Sequence, residues 1–159
     1  MFRLLVCLCV ARMLSALPVD VSGIRPGPVR IQQASDALTL SWPDDRNRNW
    51  SIEFSTDGKG PVIRRITANG SSILENIQPV YFADTGVRRG GWDQFFDFPP
   101  SHPDGIRRFQ QEFKPSAIRV RTSGDRVEVE FEGLRLGIFR GSLVYTIYPG
   151  SRLVQQEAV

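Results

Sequence analysis

The densest run of chemistry-bearing side chains lies between Asp84 and Gly105, D-T-G-V-R-R-G-G-W-D-Q-F-F-D-F-P-P-S-H-P-D-G. Arg88, Arg89, Asp93 and Asp97 are interleaved there with Trp92, Phe95, Phe96 and Phe98, and His102 is the only histidine of the chain. Sugars are bound by aromatic faces packed on C–H surfaces, with carboxylate and guanidinium groups taking the hydroxyls. Arg88, Arg89, Trp92 and Asp93 have that composition, and His102 adds a group that titrates near neutrality. These five are the candidate ligand-binding residues. The competing reading of the three phenylalanines is a hydrophobic plug that closes one end of the fold, with the charges solvating the loop.

Other chemistries fit the residues less well. A metal reading would recruit Asp93, Asp97, His102 and Asp104, but their spacing matches no established ligand pattern, and His-Pro-Asp-Gly already reads as a turn. No nucleophile elbow accompanies a Ser/His/Asp set. Glu128, Glu130 and Glu132 sit opposite arginines in an expected hairpin, so they are read as cross-strand partners rather than paired catalytic carboxylates. Asn69-Gly70-Ser71 is a glycosylation sequon placed inside an expected tight turn. The chain is therefore expected to be non-catalytic as given, with no metal and no cofactor.

The elements that must position these residues are strands. Leu38, Leu40 and Trp42 alternate with Thr39 and Ser41, and Trp50, Ile52 and Phe54 alternate with Ser51, Glu53 and Ser55. Period two is the pattern of half-buried strands. Asn69-Gly70 predicts a hairpin, setting Ile66 opposite Ile73 and Arg64 opposite Glu75. Gly124-Asp125 predicts another, with Val120 facing Val129 and Ile118 facing Phe131, while Arg121 meets Glu128 and Arg119 meets Glu130 on the other face. Leu134–Phe139 and Ser142–Tyr148 are expected strands divided by Arg140-Gly141, and a last strand over Leu153–Val159 is expected to lack its partner within this sequence. Phe109 and Phe113, four apart, suit either one helical turn or a strand entry. Together these features predict an all-β protein, an antiparallel β-sandwich over residues 31–159 that is incomplete at its C-terminal side. A loop as long as the Asp84–Gly105 run is unusual inside a compact domain and is usually functional or disordered.

The N-terminal residues differ in kind. Arg3 precedes an apolar run, Leu4–Val10, and Ser15-Ala16 offers small residues for cleavage, so residues 1–16 read as a secretory signal peptide too short to span a bilayer. Arg12 within the segment and the bulky Leu14 depart from the usual pattern. Residues 17–30, with Pro18, Gly23, Pro26, Gly27 and Pro28, read as a linker. Cleavage after Ala16 would remove both cysteines, Cys7 and Cys9, and take the formal charge from +3 to +1 by the loss of Arg3 and Arg12. The mature chain would then hold no disulfide and no stable membrane anchor. Without a block of basic residues, nucleic acid is not an expected partner.

Three stretches carry a family resemblance: I-R-R-I-T-A-N-G-S-S-I-L at 63–74, G-D-R-V-E-V-E-F at 124–131 and G-S-L-V-Y-T-I-Y-P-G-S-R-L-V-Q-Q-E-A-V at 141–159. Their order resembles the first half of a galactose-mutarotase-like β-supersandwich, over about residues 29–159. The resemblance implies a sugar-facing concave sheet in an exported, carbohydrate-binding or carbohydrate-processing domain, with a glycan as partner. In the sugar epimerases of that family a histidine and a glutamate from later in the domain act as acid and base, and neither has a match here. The alternatives are a surface or structural β-module that docks a protein, and the N-terminal part of an epimerase or polysaccharide lyase whose catalytic residues lie beyond residue 159.

Overall fold

The computed structural model describes residues 16–85 and 107–159. The protein is all-β, and the described residues form no helix. The strands are β1 (Val19–Gly23), β2 (Arg30–Gln33), β3 (Ala37–Pro43), β4 (Asn49–Ser55), β5 (Ile63–Ala68) and β6 (Ser71–Ile77). They continue as β7 (Phe82–Thr85), β8 (Arg107–Gln110), β9 (Glu112–Ser123), β10 (Arg126–Leu136), β11 (Phe139–Ile147) and β12 (Val154–Ala158). One sheet has the order β2-β3-β4-β5-β6, a second has β1-β9-β10-β11-β12, and β7 and β8 form a separate ribbon.

Alternation decides which side chains meet between the layers. β3 and β4 turn Leu38, Leu40, Trp42, Ile52 and Phe54 inward; β9, β10 and β11 answer with residues that include Ile118, Val129, Phe131, Leu143 and Tyr145. Phe54 touches both Phe131 and Tyr145, at ring-centroid distances of 5.4 and 5.0 Å, so the aromatic centre of the core joins the sheets. Burying such side chains is worth about 1.5–3 kcal/mol each, which makes this interface the main source of stability.

The Gly124-Asp125 hairpin has the register its sequence predicts: Val120 faces Val129, Ile118 faces Phe131, Arg121 faces Glu128 and Arg119 faces Glu130. Gly124 supplies the positive φ of 61° at the first turn position. On the outer face Arg119 bonds Glu130 and Glu132, and Arg121 bonds Glu128, so these carboxylates are engaged in the sheet.

Four expectations are corrected. The Asn69-Gly70 turn forms, with φ of 50° and 79°, but the ladder slips between Ile66 and Thr67. Ile66 therefore faces Leu74, and Arg65, not Arg64, faces Glu75. The turn expected at Arg140-Gly141 lies instead at Gly137-Ile138, where Gly137 has φ 63°. Gly141 is inside β11, where a Cβ would stand 1.7 Å from the Val159 carbonyl oxygen. Within the Pro/Gly-rich residues 17–30, expected as a linker, Val19–Gly23 forms a strand that pairs in parallel with β9. The last strand, expected to lack a partner, pairs with β11 from Val154 to Ala158 and leaves only its outer edge open.

The first two residues of the expected long loop, Asp84 and Thr85, lie in β7, which pairs with β8 as a ribbon. Thr85 pairs with Arg107 and Asp84 with Arg108, and the Arg108 guanidinium grips both Asp84 carboxylate oxygens at 2.8 Å. At its root Gln111 donates its backbone N–H to the Tyr81 carbonyl, and its side-chain oxygen accepts the Tyr81 N–H. Phe109 lies in β8 and Phe113 in β9, so their spacing marks strand entry rather than a helical turn.

Candidate functional site

A cleft of about 410 Å³ opens at the end of the sandwich beside the ribbon's root. It is built from a turn, a floor and a wall. The turn follows β4 in the sequence Asp57-Gly58-Lys59-Gly60, whose residue types favour tight local bonding. Asp57 Oδ1 accepts the backbone N–H groups of Lys59 and Gly60 at 2.9 and 3.1 Å and the Ser55 hydroxyl at 2.7 Å. Gly58, with φ 67°, allows the chain to wrap around that oxygen. The Lys59 N–H and the Ser55 hydroxyl hold the Asp57 carboxyl down to about 2, against partial burial, with the Gly60 N–H and the Arg64 charge adding to the effect. Arg64 reaches Asp57 Oδ2 at 3.5 Å and Asp36 at 2.9 Å.

The floor is aromatic. Phe131 comes from the core of β10, and Phe113 meets it edge-on with centroids 6.3 Å apart. Phe113 returns to this face because the β9–β10 ladder is irregular. Ala117 faces Glu132 but Phe113 faces Leu134, so Lys114, Pro115 and Ser116 bulge over Gly133. Gly133 has φ 110°, and a Cβ there would stand 2.2 Å from the Lys114 carbonyl oxygen. Pro115 suits the bulge because it has no N–H to leave unpaired. The wall is Gln78, whose side-chain oxygen accepts the Val62 N–H at 3.1 Å.

Both chains of the ribbon leave from this cleft: Gln78 precedes β7, and Phe113 follows β8. The candidate residues Arg88, Arg89, Trp92, Asp93 and His102 lie outside the described residues, as do Asp97, Asp104 and the phenylalanines of the plug reading. Residues 1–15 of the expected signal peptide lie outside them too. Among the described residues no group of three or more His, Cys, Asp or Glu is placed to hold a metal ion. No described helix is long and apolar enough to cross a membrane.

The opposite end offers a constellation that looks like a sugar site by composition, with Trp42, Trp50, Asp44, Arg48 and Arg152 close together. Its polar atoms are turned inward. The Asp44 side chain is fully buried; one oxygen accepts the N–H groups of Arg46 and Arg48, and the other accepts Arg48 Nε and Trp50 Nε1. Burial opposes ionisation of this carboxyl, but the bonds from Arg48, Arg46 and Trp50 outweigh it and hold Asp44 well below the usual carboxylate range. Trp42 Nε1 donates to the Ser151 carbonyl at 2.9 Å, and Arg152 Nε stands 3.4 Å from Asp44. This cluster fastens the β3–β4 loop to the β11–β12 loop. The sequon asparagine is engaged as well: Asn69 Oδ1 accepts the Asn49 N–H at 3.0 Å.

Sequence reasoning missed the cleft residues. Lys59 had a signal of its own, as one of only two lysines, set in Asp-Gly-Lys-Gly. Phe113 had none, because its place depends on a bulge against a distant glycine. The sequence matches no known family model and no curated protein.

Proposed function

We propose that the chain is an exported, non-catalytic β-sandwich that binds carbohydrate at the cleft end. The observation that carries this reading is the cleft itself: the half-buried ring of Phe113, backed by the buried Phe131, beside hydrogen-bonding groups from Lys59 and Gln78. Aromatic faces with a polar rim are the combination that sugar rings require. The composition of residues 88–102 adds to it, with Arg88, Arg89, Trp92, Asp93 and His102 carried between two strands rooted beside the cleft. The galactose-mutarotase-like pattern of residues 63–74, 124–131 and 141–159 points to the same ligand class, and the apolar run after Arg3 supports export.

The test is a glycan array of neutral and acidic oligosaccharides probed with the purified chain. Trp92→Ala and Phe113→Leu are each expected to weaken binding by about tenfold, the effect of losing one stacking face, while the melting transition remains cooperative. Silence across the array would remove this reading. The alternative, a protein-docking module, is favoured by the exposure of Phe82 (58%), Ile138 (78%) and Phe139 (54%). It predicts instead that Ile138→Ser together with Phe139→Ser abolishes association with a protein partner.

A further inference from the structure

From the hydrogen-bond accounting of the cleft, we infer that its ligand is an anionic sugar whose carboxylate or sulfate is held by Lys59. The inference rests on the carbohydrate-binding reading. Among the described residues, Lys59 is the only charged one lining the cleft, and no described carboxylate lines it. Its ammonium group makes no ion pair or hydrogen bond among the described residues and offers three donors. The nearest carboxylate on the same turn, Asp57, is engaged by the backbone N–H groups of Lys59 and Gly60, by Ser55 and by Arg64.

The side-chain acceptors of the lining are also in use. Gln78 Oε1 takes the Val62 N–H, which leaves the amide's two N–H donors facing no described acceptor. Ser55 gives its proton to Asp57 and takes a bond from Arg64 at 3.3 Å. The cleft therefore presents donors from Lys59 and Gln78 with few side-chain acceptors to match. Each hydroxyl of a neutral sugar brings a proton as well as acceptor lone pairs, and several of those protons would find no free side-chain acceptor here. A carboxylate or a sulfate ester brings acceptors only, and charge-assisted bonds to it are the strong kind. The ring of Phe113 takes the sugar ring, and Lys59 takes the anion.

The experiment measures binding by calorimetry to three probes: an oligogalacturonate, a heparin-derived oligosaccharide and a neutral cello-oligosaccharide. Each is titrated into the unaltered chain and into Lys59→Met, which keeps the stem and removes the charge. At least one anionic probe is expected to bind more tightly than the neutral one and to lose about tenfold in affinity in Lys59→Met. Its affinity is also expected to fall between about 0.1 M and about 1 M salt, as the screening length shortens from about 10 Å to about 3 Å. Preference for the oligogalacturonate would name a carboxylate, and preference for the heparin fragment a sulfate. Equal binding of the neutral probe, or an anionic affinity unchanged in Lys59→Met, overturns the inference and leaves the carbohydrate reading standing. Failure of all three probes to bind overturns both. Coincident melting curves for the two proteins confirm that the substitution acts on the cleft and not on the fold.

Discussion

Gly133 is where the cleft can be broken by one methyl group. Replacing it with alanine imposes two separate penalties. The first is conformational: φ of 110° lies in a region that side chains avoid, and holding an alanine there costs about 1–3 kcal/mol. The second is steric. The new Cβ would meet the Lys114 carbonyl oxygen at 2.2 Å and its carbon at 3.0 Å, both backbone atoms that cannot swing aside as a side chain would. Relieving that overlap by moving the β9 bulge adds about 1–3 kcal/mol. The sum, about 2–6 kcal/mol, is a large share of the 5–15 kcal/mol typical of a domain. Gly124→Ala is the control. That residue also has positive φ, 61°, but nothing lies within 4 Å of its Cβ position, so only the conformational cost of about 1–2 kcal/mol remains, partly offset by a less flexible unfolded chain. Urea denaturation followed by tryptophan fluorescence, to which the buried Trp42 contributes, would measure both variants, and calorimetry with a cleft ligand would follow Phe113. Gly133→Ala is expected to lower stability clearly more than Gly124→Ala and to weaken ligand binding even under conditions where it stays folded. Equal losses in the two variants would refute the reasoning, because the bulge would then relax freely and could not be what holds the cleft floor.

Two further outcomes follow from buried groups. The folded-state pKa of Asp44 is depressed, so its contribution to stability is fully present above its ordinary value of 3.8 and is lost as the pH falls below that value towards the folded pKa; acid titration of the melting temperature should show a steep fall there, and Asp44→Asn should be less stable at neutral pH and flatter in acid. Tyr145 is the converse case, since its hydroxyl is buried with no hydrogen-bond partner among the described residues, and burial, then the nearby Tyr81, push its pKa up. Tyr145→Phe should therefore be neutral or stabilising by up to about 1 kcal/mol, and it should hold its stability further into alkali, because the tyrosine's contribution is present below pH 10.0 and lost as the pH rises through its raised folded value.

The turn half of the β9–β10 hairpin, out to Ile118 and Phe131, was legible in the sequence because both of its faces constrain register at once: a slip by one residue would bury Arg119 and Arg121 and expose Val120. The hairpin of β5 and β6 was legible only at its turn. β6 is exposed along most of its length, so Ile73 was free to become the extra residue of a bulge without any core contact opposing it. Glycines misled where two physical causes share one residue type. Gly137 is needed for positive φ and Gly141 for the close approach of the Val159 carbonyl, and a single sequence does not distinguish them. β1 was invisible because only Val19 of the strand is even half-buried, so no alternation records it. The cleft was hidden for a related reason: its floor depends on a register slip between strands, and its turn on bonds to one carboxylate, neither of which leaves a periodic trace.

The two ends of the sandwich separate composition from availability. Trp42, Trp50, Asp44, Arg48 and Arg152 have the residue types of a glycan site, yet both Asp44 oxygens and both indole N–H groups already have protein partners. A ligand arriving there would have to break bonds before making any, and the bonds it broke would be those that tie two loops together. At the cleft end the acceptors are similarly engaged, by Val62, Arg64 and the turn's own N–H groups, but the Lys59 ammonium and the Gln78 amide N–H groups have no partner among the described residues. Donors without acceptors cost little while water reaches them and gain most when an anion displaces that water. The same inward bonding that makes Asp44 structural and removes Asp57 as a competing acceptor thus leaves Lys59 as the charge a ligand would meet, above a floor that exists only because Gly133 lets the neighbouring strand bulge.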